Sequence, residues 1–125
     1  MPVAYCSSKL TTMQQEINRG LVDVLNNCAA ECNHCLAACL EEQDVTMLTR
    51  CIKLDIDCAA ICQLTASFVA RRSEHMYHLL NECAEICNAC AQECEKHAAH
   101  GMEHCRHCAE VCRHCAEECL HQSHA

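Results

Sequence analysis

The sequence predicts an all-α protein, an up-down-up-down four-helix bundle with a Cys-lined core. Three observations carry that expectation. Cys recurs at helical spacing in four windows of the 125-residue chain. Two Gly and one Pro leave few breaks between elements. The stretch NNCAAECNHCLAACL at 26–40 is echoed by NECAEICNACAQECE at 81–95 and RHCAEVCRHCAEECL at 106–120, so a helical hairpin looks duplicated. No window alternates as a strand would, and two hairpins with short turns close naturally into a four-helix bundle. The length suits a single domain over residues 1–125.

Each element has its own signals. Residues 1–11, with Cys6, form an N-terminal arm that the pattern does not place. Helix 1 is expected over 12–42, where Thr11 and Thr12 with Gln14 and Gln15 offer capping-box starts. Helix 2 is expected over 44–70, with Asp44 as its N-cap and Arg71 and Arg72 suiting its C-terminal dipole. Ser73, followed by Glu74 and His75, opens helix 3 over 73–99. Gly101 supplies a left-handed stop, and helix 4 covers 102–120. The polar tail beyond Leu120, with His124, is expected to fray.

The Cys define one stripe per helix. Cys28, Cys32, Cys35 and Cys39 are spaced 4-3-4, and Cys83, Cys87, Cys90 and Cys94 repeat that spacing. Cys105, Cys108, Cys112, Cys115 and Cys119 extend it by one, and Cys51, Cys58 and Cys62 keep it with Asp55 in the missing place. At about 100° per residue such a set stays within roughly 60° of one helix face. In an up-down-up-down bundle all four sets gather toward one end, with the turns at 42–44 and 99–102 as the mouth. The other half of the stripes is ordinary: Ile17, Leu21, Val24 and Leu25 on helix 1, Val69 on helix 2, and Met76, Leu79 and Leu80 on helix 3. Ala beside the Cys lets facing helices approach, and Ala is also the best helix former.

Several classes fall away. Seventeen Cys suggest a secreted disulfide scaffold, but the count is odd and Met1–Leu10 has no apolar run of a signal peptide. Neighbouring Cys at i and i+4 on a rigid helix also fit disulfide geometry poorly. Free thiols in a reducing cytoplasm are the better expectation. A net charge of −8, with no basic patch beyond Arg71 and Arg72, argues against nucleic acid. No segment approaches the roughly 20 apolar residues of a membrane span.

Thiolates select Cu(I), zinc or iron–sulfur clusters. Sulfurs at i and i+4 can sit about two metal–sulfur bonds apart, taking roughly 2.3 Å for each bond. Cu(I) replaces a thiol proton without changing the charge of the core. Zn²⁺ on four thiolates leaves two negative charges per site, costly to bury when no Lys or Arg lies on the stripes. The C-x3-C-x2-C triads at Cys28, Cys83 and Cys108 match a radical-enzyme iron–sulfur motif, yet that motif needs a loop on a much larger barrel. Sixteen Cys on four stripes are also too many for Cys as a mere small hydrophobe. The expected ligands are therefore Cys28, Cys32, Cys35, Cys39, Cys51, Cys58, Cys62, Cys83, Cys87, Cys90, Cys94, Cys105, Cys108, Cys112, Cys115 and Cys119.

Other donors fall near the mouth. His97 sits at the stripe edge and His104 more loosely so, with Met47, Met102 and His100 nearby. Imidazole and thioether suit Cu(I) capture, while helix ends also favour solvated His, and both readings stand. His34, His78, His107, His114 and His121 project away from the stripes. Asp55 is a hard ligand, and it either binds a His or an ion or simply interrupts the row; it is grouped with His97, His104 and Met47 as a further candidate.

With these motifs, over residues 12 to 120, the chain resembles the copper storage proteins, bacterial Cys-lined four-helix bundles with CxxxC pairs on all four helices. The absence of a signal peptide is similar to the cytosolic branch. The resemblance implies many Cu(I) ions per chain, a mouth carrying His or Met, and a homo-oligomer, specifically a tetramer of bundles. The chain departs from the pattern at Asp55 and at Cys6. The expected function is cytosolic Cu(I) storage or sequestration without enzymatic activity, with a copper chaperone as a possible partner. Two alternatives are kept: a zinc or cadmium thiolate buffer, and a thiol redox protein using Cys6 or Cys105, the latter flanked by His104 and Arg106.

Overall fold

The computed structural model describes residues 12–123. The N-terminal arm with Cys6, the Thr11 cap and His124 lie outside the described residues. Four helices follow one another: α1 (Thr12–Leu40), α2 (Thr49–Ala70), α3 (Met76–Ala98) and α4 (Glu103–Gln122), with a single 3-10 turn at Val45–Leu48 before α2. Each helix packs on its chain neighbours and α4 closes back on α1, while the diagonal pairs α1 with α3 and α2 with α4 do not meet at the backbone. Short connections make neighbours antiparallel, so α2 and α4 run parallel, both starting at the same end.

The termini show where local chemistry departs from expectation. Asp44 does not cap α2: its Oδ1 accepts from the Thr46 hydroxyl at 2.7 Å, no side-chain cap bond forms, and the chain makes the 3-10 turn before Thr49 begins the α-helix. Ser73 accepts the His75 N–H at 3.1 Å, but its own carbonyl takes Met76 N–H at 3.1 Å as a turn, which delays α3 to Met76. Gly101 has φ 92°. Met102 N–H bonds to His97 O and Gly101 N–H to Ala98 O, the paired reversed bonds of a Schellman stop. The same pair ends α2, from Ser73 N–H to Phe68 O and Arg72 N–H to Val69 O, with Arg72 in the left-handed position at φ 52°.

The core follows the stripes. All sixteen Cys among the described residues are buried and free. Below them lie Leu21, Leu25, Val69, Met76 and Leu80, all buried. Ile17 is a correction, because it is 37% exposed and Asn18 takes the inward place one turn before Leu21. The α1 stripe continued backwards from Cys28 in 3-4 steps passes through Leu25, Leu21 and Asn18, which leaves Ile17 to one side. Val24 and Leu79 are half-buried. No described helix is long and apolar enough to cross a membrane.

Candidate metal centre

Sulfur fills the axis because every helix turns its thiols inward and no bulky side chain competes there. Within one helix, Cys35 and Cys39 lie 3.9 Å apart, Cys83 and Cys87 3.8 Å, and Cys108 and Cys112 3.9 Å. Between adjacent helices, Cys58 and Cys87 lie 3.5 Å apart, Cys32 and Cys112 3.6 Å, and Cys51 and Cys94 3.7 Å. Thiols also span the diagonal that the backbones leave open, with Cys58 to Cys112 at 3.9 Å and Cys62 to Cys115 at 4.0 Å. From Cys105 to Cys119 the column is about 21 Å long at 1.5 Å per residue.

Several four-ligand groups have all their donor atoms within 4.8 Å of one another: Cys28, Cys32, Cys58 and Cys112; Cys28, Cys62, Cys87 and Cys115; Cys32, Cys90, Cys108 and Cys112. Cys28, Cys32 and Cys112 each belong to two groups. A sulfur shared between groups could serve two ions at once, so the groups overlap into a continuous row rather than separate closed tetrahedra. Separations of 3.5–4.0 Å are short of two metal–sulfur bonds of about 2.3 Å, so small rotamer changes open each pair onto an ion. In the absence of metal the thiols share protons. The Cys112 thiol, hydrogen-bonded first to Cys108 and also to Cys28, Cys32 and Cys58, and shut away from water, is held well above the ordinary thiol range.

Asp55 is not at the mouth, and no His among the described residues bonds to it. It is fully buried within the row, one turn below Cys51. Cys90 and Cys108 donate to its Oδ1 at 3.2 and 3.5 Å, and Cys51 to its Oδ2 at 4.0 Å. Burial above all pushes its carboxyl up to about 11, with charge repulsion from Cys108, Cys90 and Cys51 adding to the shift where those sulfurs are ionised. A group held there is a neutral acid at physiological pH, which removes the expense of burying a charge.

At the open end the soft column meets harder donors. His104 Nε2 lies 3.6 Å from Cys39 Sγ, its Nδ1 is 4.0 Å from Glu42 Oε2, and it groups with Cys35, Cys39 and Cys105. A second group joins Cys35, Cys51, Asp55 and Cys94. His97 is buried and its Nε2 is held by Glu93 Oε2 at 3.1 Å. Glu93 also takes Arg50 at 2.9 Å and Lys96 at 3.2 Å. Burial alone would raise the Glu93 carboxyl, but these three partners outweigh it and hold it below the usual range. Met47 is 68% exposed and shares a cleft of ≈ 370 Å³ with His97, His100, Met102 and Glu42. His34, His78, His107, His114 and His121 are exposed, and His107 faces Glu31 at 3.5 Å.

Sequence reasoning missed Glu93 and Thr65. Glu93 precedes Cys94 and carries no spacing signal; its role depends on Arg50, distant in sequence. Thr65 could have been found, because it continues the α2 stripe three residues after Cys62.

Known proteins share this arrangement. A profile of the copper storage protein family, Csp, matches residues 13–124. The chain is 38% identical over 73 residues to YhjQ, a cysteine-rich protein of Bacillus subtilis (strain 168), a match covering 58% of this chain and 68% of that one. The Cu(I)-bound copper storage protein BsCsp3 superposes with a TM-score of 0.79 at 37% identity, over 86% of this chain and 98% of that one. A cytosolic copper storage protein from Streptomyces lividans, carrying five coppers, gives a TM-score of 0.83 at 37% identity, over 89% and 95%. With a profile spanning nearly all of the described bundle and neighbours sharing both fold and more than a third of their residues, the chain belongs to the copper storage protein family.

Proposed function

We propose that this bundle stores Cu(I) in its interior, held and bridged by the sixteen core thiols, and that it is not an enzyme. The observation that carries this reading is the sharing of Cys28, Cys32 and Cys112 between overlapping four-sulfur groups. A row of bridging thiolates suits a monovalent soft ion of low coordination number. Each ion displaces a thiol proton, so the core stays near neutrality as it fills. Divalent zinc in the same groups would accumulate two negative charges per site, with no cation on the stripes to offset them. Support for Cu(I) also comes from the family and from relatives described as Cu(I)-bound or copper-loaded.

Ions reach the column at its open end, where His104 beside Cys39 offers an imidazole to an arriving ion. Met47 and His97 are weaker candidates, one exposed to solvent and the other tied to Glu93. Asp55 supplies a neutral hydrogen-bonding group rather than a ligand. The protein works in the cytosol, as does its Streptomyces relative, exchanges copper with a chaperone, and assembles as a homo-oligomer. Anaerobic titration against a competing Cu(I) chelator tests the storage reading. Uptake on the order of one ion per core thiol is expected, since soft ligands are shared. Tight binding of only a few Zn²⁺ with weak Cu(I) uptake would assign the column to zinc instead.

A further inference from the structure

The inward stripes of α2 and α4 run parallel and meet across the diagonal in matched steps. Asp55 faces Cys108 at 3.5 Å, Cys58 faces Cys112 at 3.9 Å, and Cys62 faces Cys115 at 4.0 Å. Continued one step deeper, the same register brings Thr65 on α2 to the level of Cys119 on α4, with no hydrogen bond between them in the metal-free bundle. On the other two helices the same step carries Leu25 and Leu80, both fully buried. The deepest sulfur of the column therefore belongs to α4 alone. Cys119 has Cys115 and Cys83 as its sulfur neighbours, and the level below Cys62 offers no further thiol on α1, α2 or α3.

Thr65 is the anomaly of this layer. It is 0% exposed, and its Oγ1 is the one buried side-chain nitrogen or oxygen among the described residues with no hydrogen-bond partner. A helical Thr can satisfy its hydroxyl on the carbonyl four residues back, and here it does not. Val has nearly the shape of Thr and would fill the same buried space without leaving a donor unpaired. The hydroxyl makes no hydrogen bond in the metal-free bundle. Its environment changes when copper arrives, because a thiol that gives its proton to solvent and takes a Cu(I) becomes a thiolate. That sulfur is a stronger acceptor. The thiols next to Cys119 are Cys115 and Cys83, so an ion held among them would leave a sulfur lone pair free to accept a hydrogen bond.

We propose that Thr65 is a positioning residue of the loaded state: its hydroxyl donates to the Cys119 thiolate and closes the lowest α2–α4 step, holding the deepest Cu(I) in place. This rests on the storage reading above. It explains why a polar group sits unpaired in an otherwise apolar layer.

The test is anaerobic release of Cu(I) from fully loaded full-length protein into a large excess of a bicinchoninate-type chelator, for wild type, Thr65→Val, Thr65→Ser, Cys119→Ala and the double variant Thr65→Val/Cys119→Ala. Wild type and Thr65→Val melt alike when metal-free, or the variant melts higher. Thr65→Val releases its slowest ion roughly tenfold faster, the value of a hydrogen bond to a charged acceptor. Thr65→Ser restores the wild-type rate, and Thr65→Val has no further effect once Cys119 is Ala. A Thr65→Val protein that loads and releases like wild type overturns the proposal. So does an equal loss in the Cys119→Ala background, which would mean general packing. A wild-type chain that takes up no Cu(I) overturns the storage reading along with it.

Discussion

At the scale of the single residue, helical periodicity made the inward face legible but not the state of what lies there. Every Cys on the four stripes is buried, because spacing alone decides which face a helix turns to its neighbours. Asp55 shares that periodicity, yet its chemistry is set by Cys90 and Cys108, contributed by α3 and α4. No reading of the α2 segment alone supplies those partners. The consequence is measurable. Its carboxyl is raised from 3.8 to about 11 in the fold, so the folded chain holds a proton that the unfolded chain gives up. The stability from this group is complete below about pH 3.8 and is lost progressively as pH climbs toward about 11. Between pH 5 and 7 each unit costs up to about 1.4 kcal/mol. Asp55→Asn keeps the shape and removes the titration. Denaturant unfolding of metal-free, reduced protein at pH 5, 6 and 7 is expected to show wild type falling relative to Asp55→Asn by about that amount per unit. Parallel pH profiles for the two proteins would mean that Asp55 is ionised in the fold.

At the scale of the element, stops were easier to read than starts. Gly101 announces the end of α3 because only Gly takes φ 92° without strain. The matching stop of α2 is built on Arg72, whose type gives no such signal, and the charges of Arg71 and Arg72 suited a helix end without revealing the left-handed turn. The starts of α2 and α3 shifted because Asp44 and Ser73 spend their side chains on local turns. Such competition between short polar side chains and helix caps is settled by local geometry that a sequence pattern does not carry. Arg72 makes a prediction of its own. A non-Gly residue in the left-handed region costs on the order of 1 kcal/mol. Arg72→Gly relieves that strain, less what Gly gains in the unfolded chain, for a net gain of up to about 1 kcal/mol. Thermal melts of the metal-free variant should rise by up to about 3–6 °C for a domain of this size. A lower melting temperature would show that the Arg72 side chain makes a stabilising contact larger than its backbone strain.

At the scale of the whole molecule, the bundle divides into an apolar base that folds it and a sulfur column that awaits its cargo. That division was legible because the apolar and Cys-rich parts of the α1 and α3 stripes are separate in sequence, and the antiparallel path aligns them with Val69 of α2. The column contributes less to metal-free stability than the Leu and Ile it replaces, since a thiol buries less apolar area and packs with fewer contacts. Loading changes the balance. Ions that bridge α1 to α4 and α2 to α3 meet more sulfurs in the folded state than the unfolded chain presents together, and that difference in affinity adds stability by mass action. A single site held a thousandfold above its dissociation constant contributes about 4 kcal/mol, on the order of 10–20 °C in melting temperature for a chain of this length. Because the sulfurs of all four helices are joined through shared thiols such as Cys28 and Cys112, successive ions reinforce the same closed square rather than separate corners of it. The melting temperature should therefore climb throughout an anaerobic Cu(I) titration and return to its starting value when a strong chelator strips the metal. Ions held on the surface by the exposed His would leave the melt unmoved at equal stoichiometry. A flat melting temperature against rising bound copper would thus place the metal outside the column.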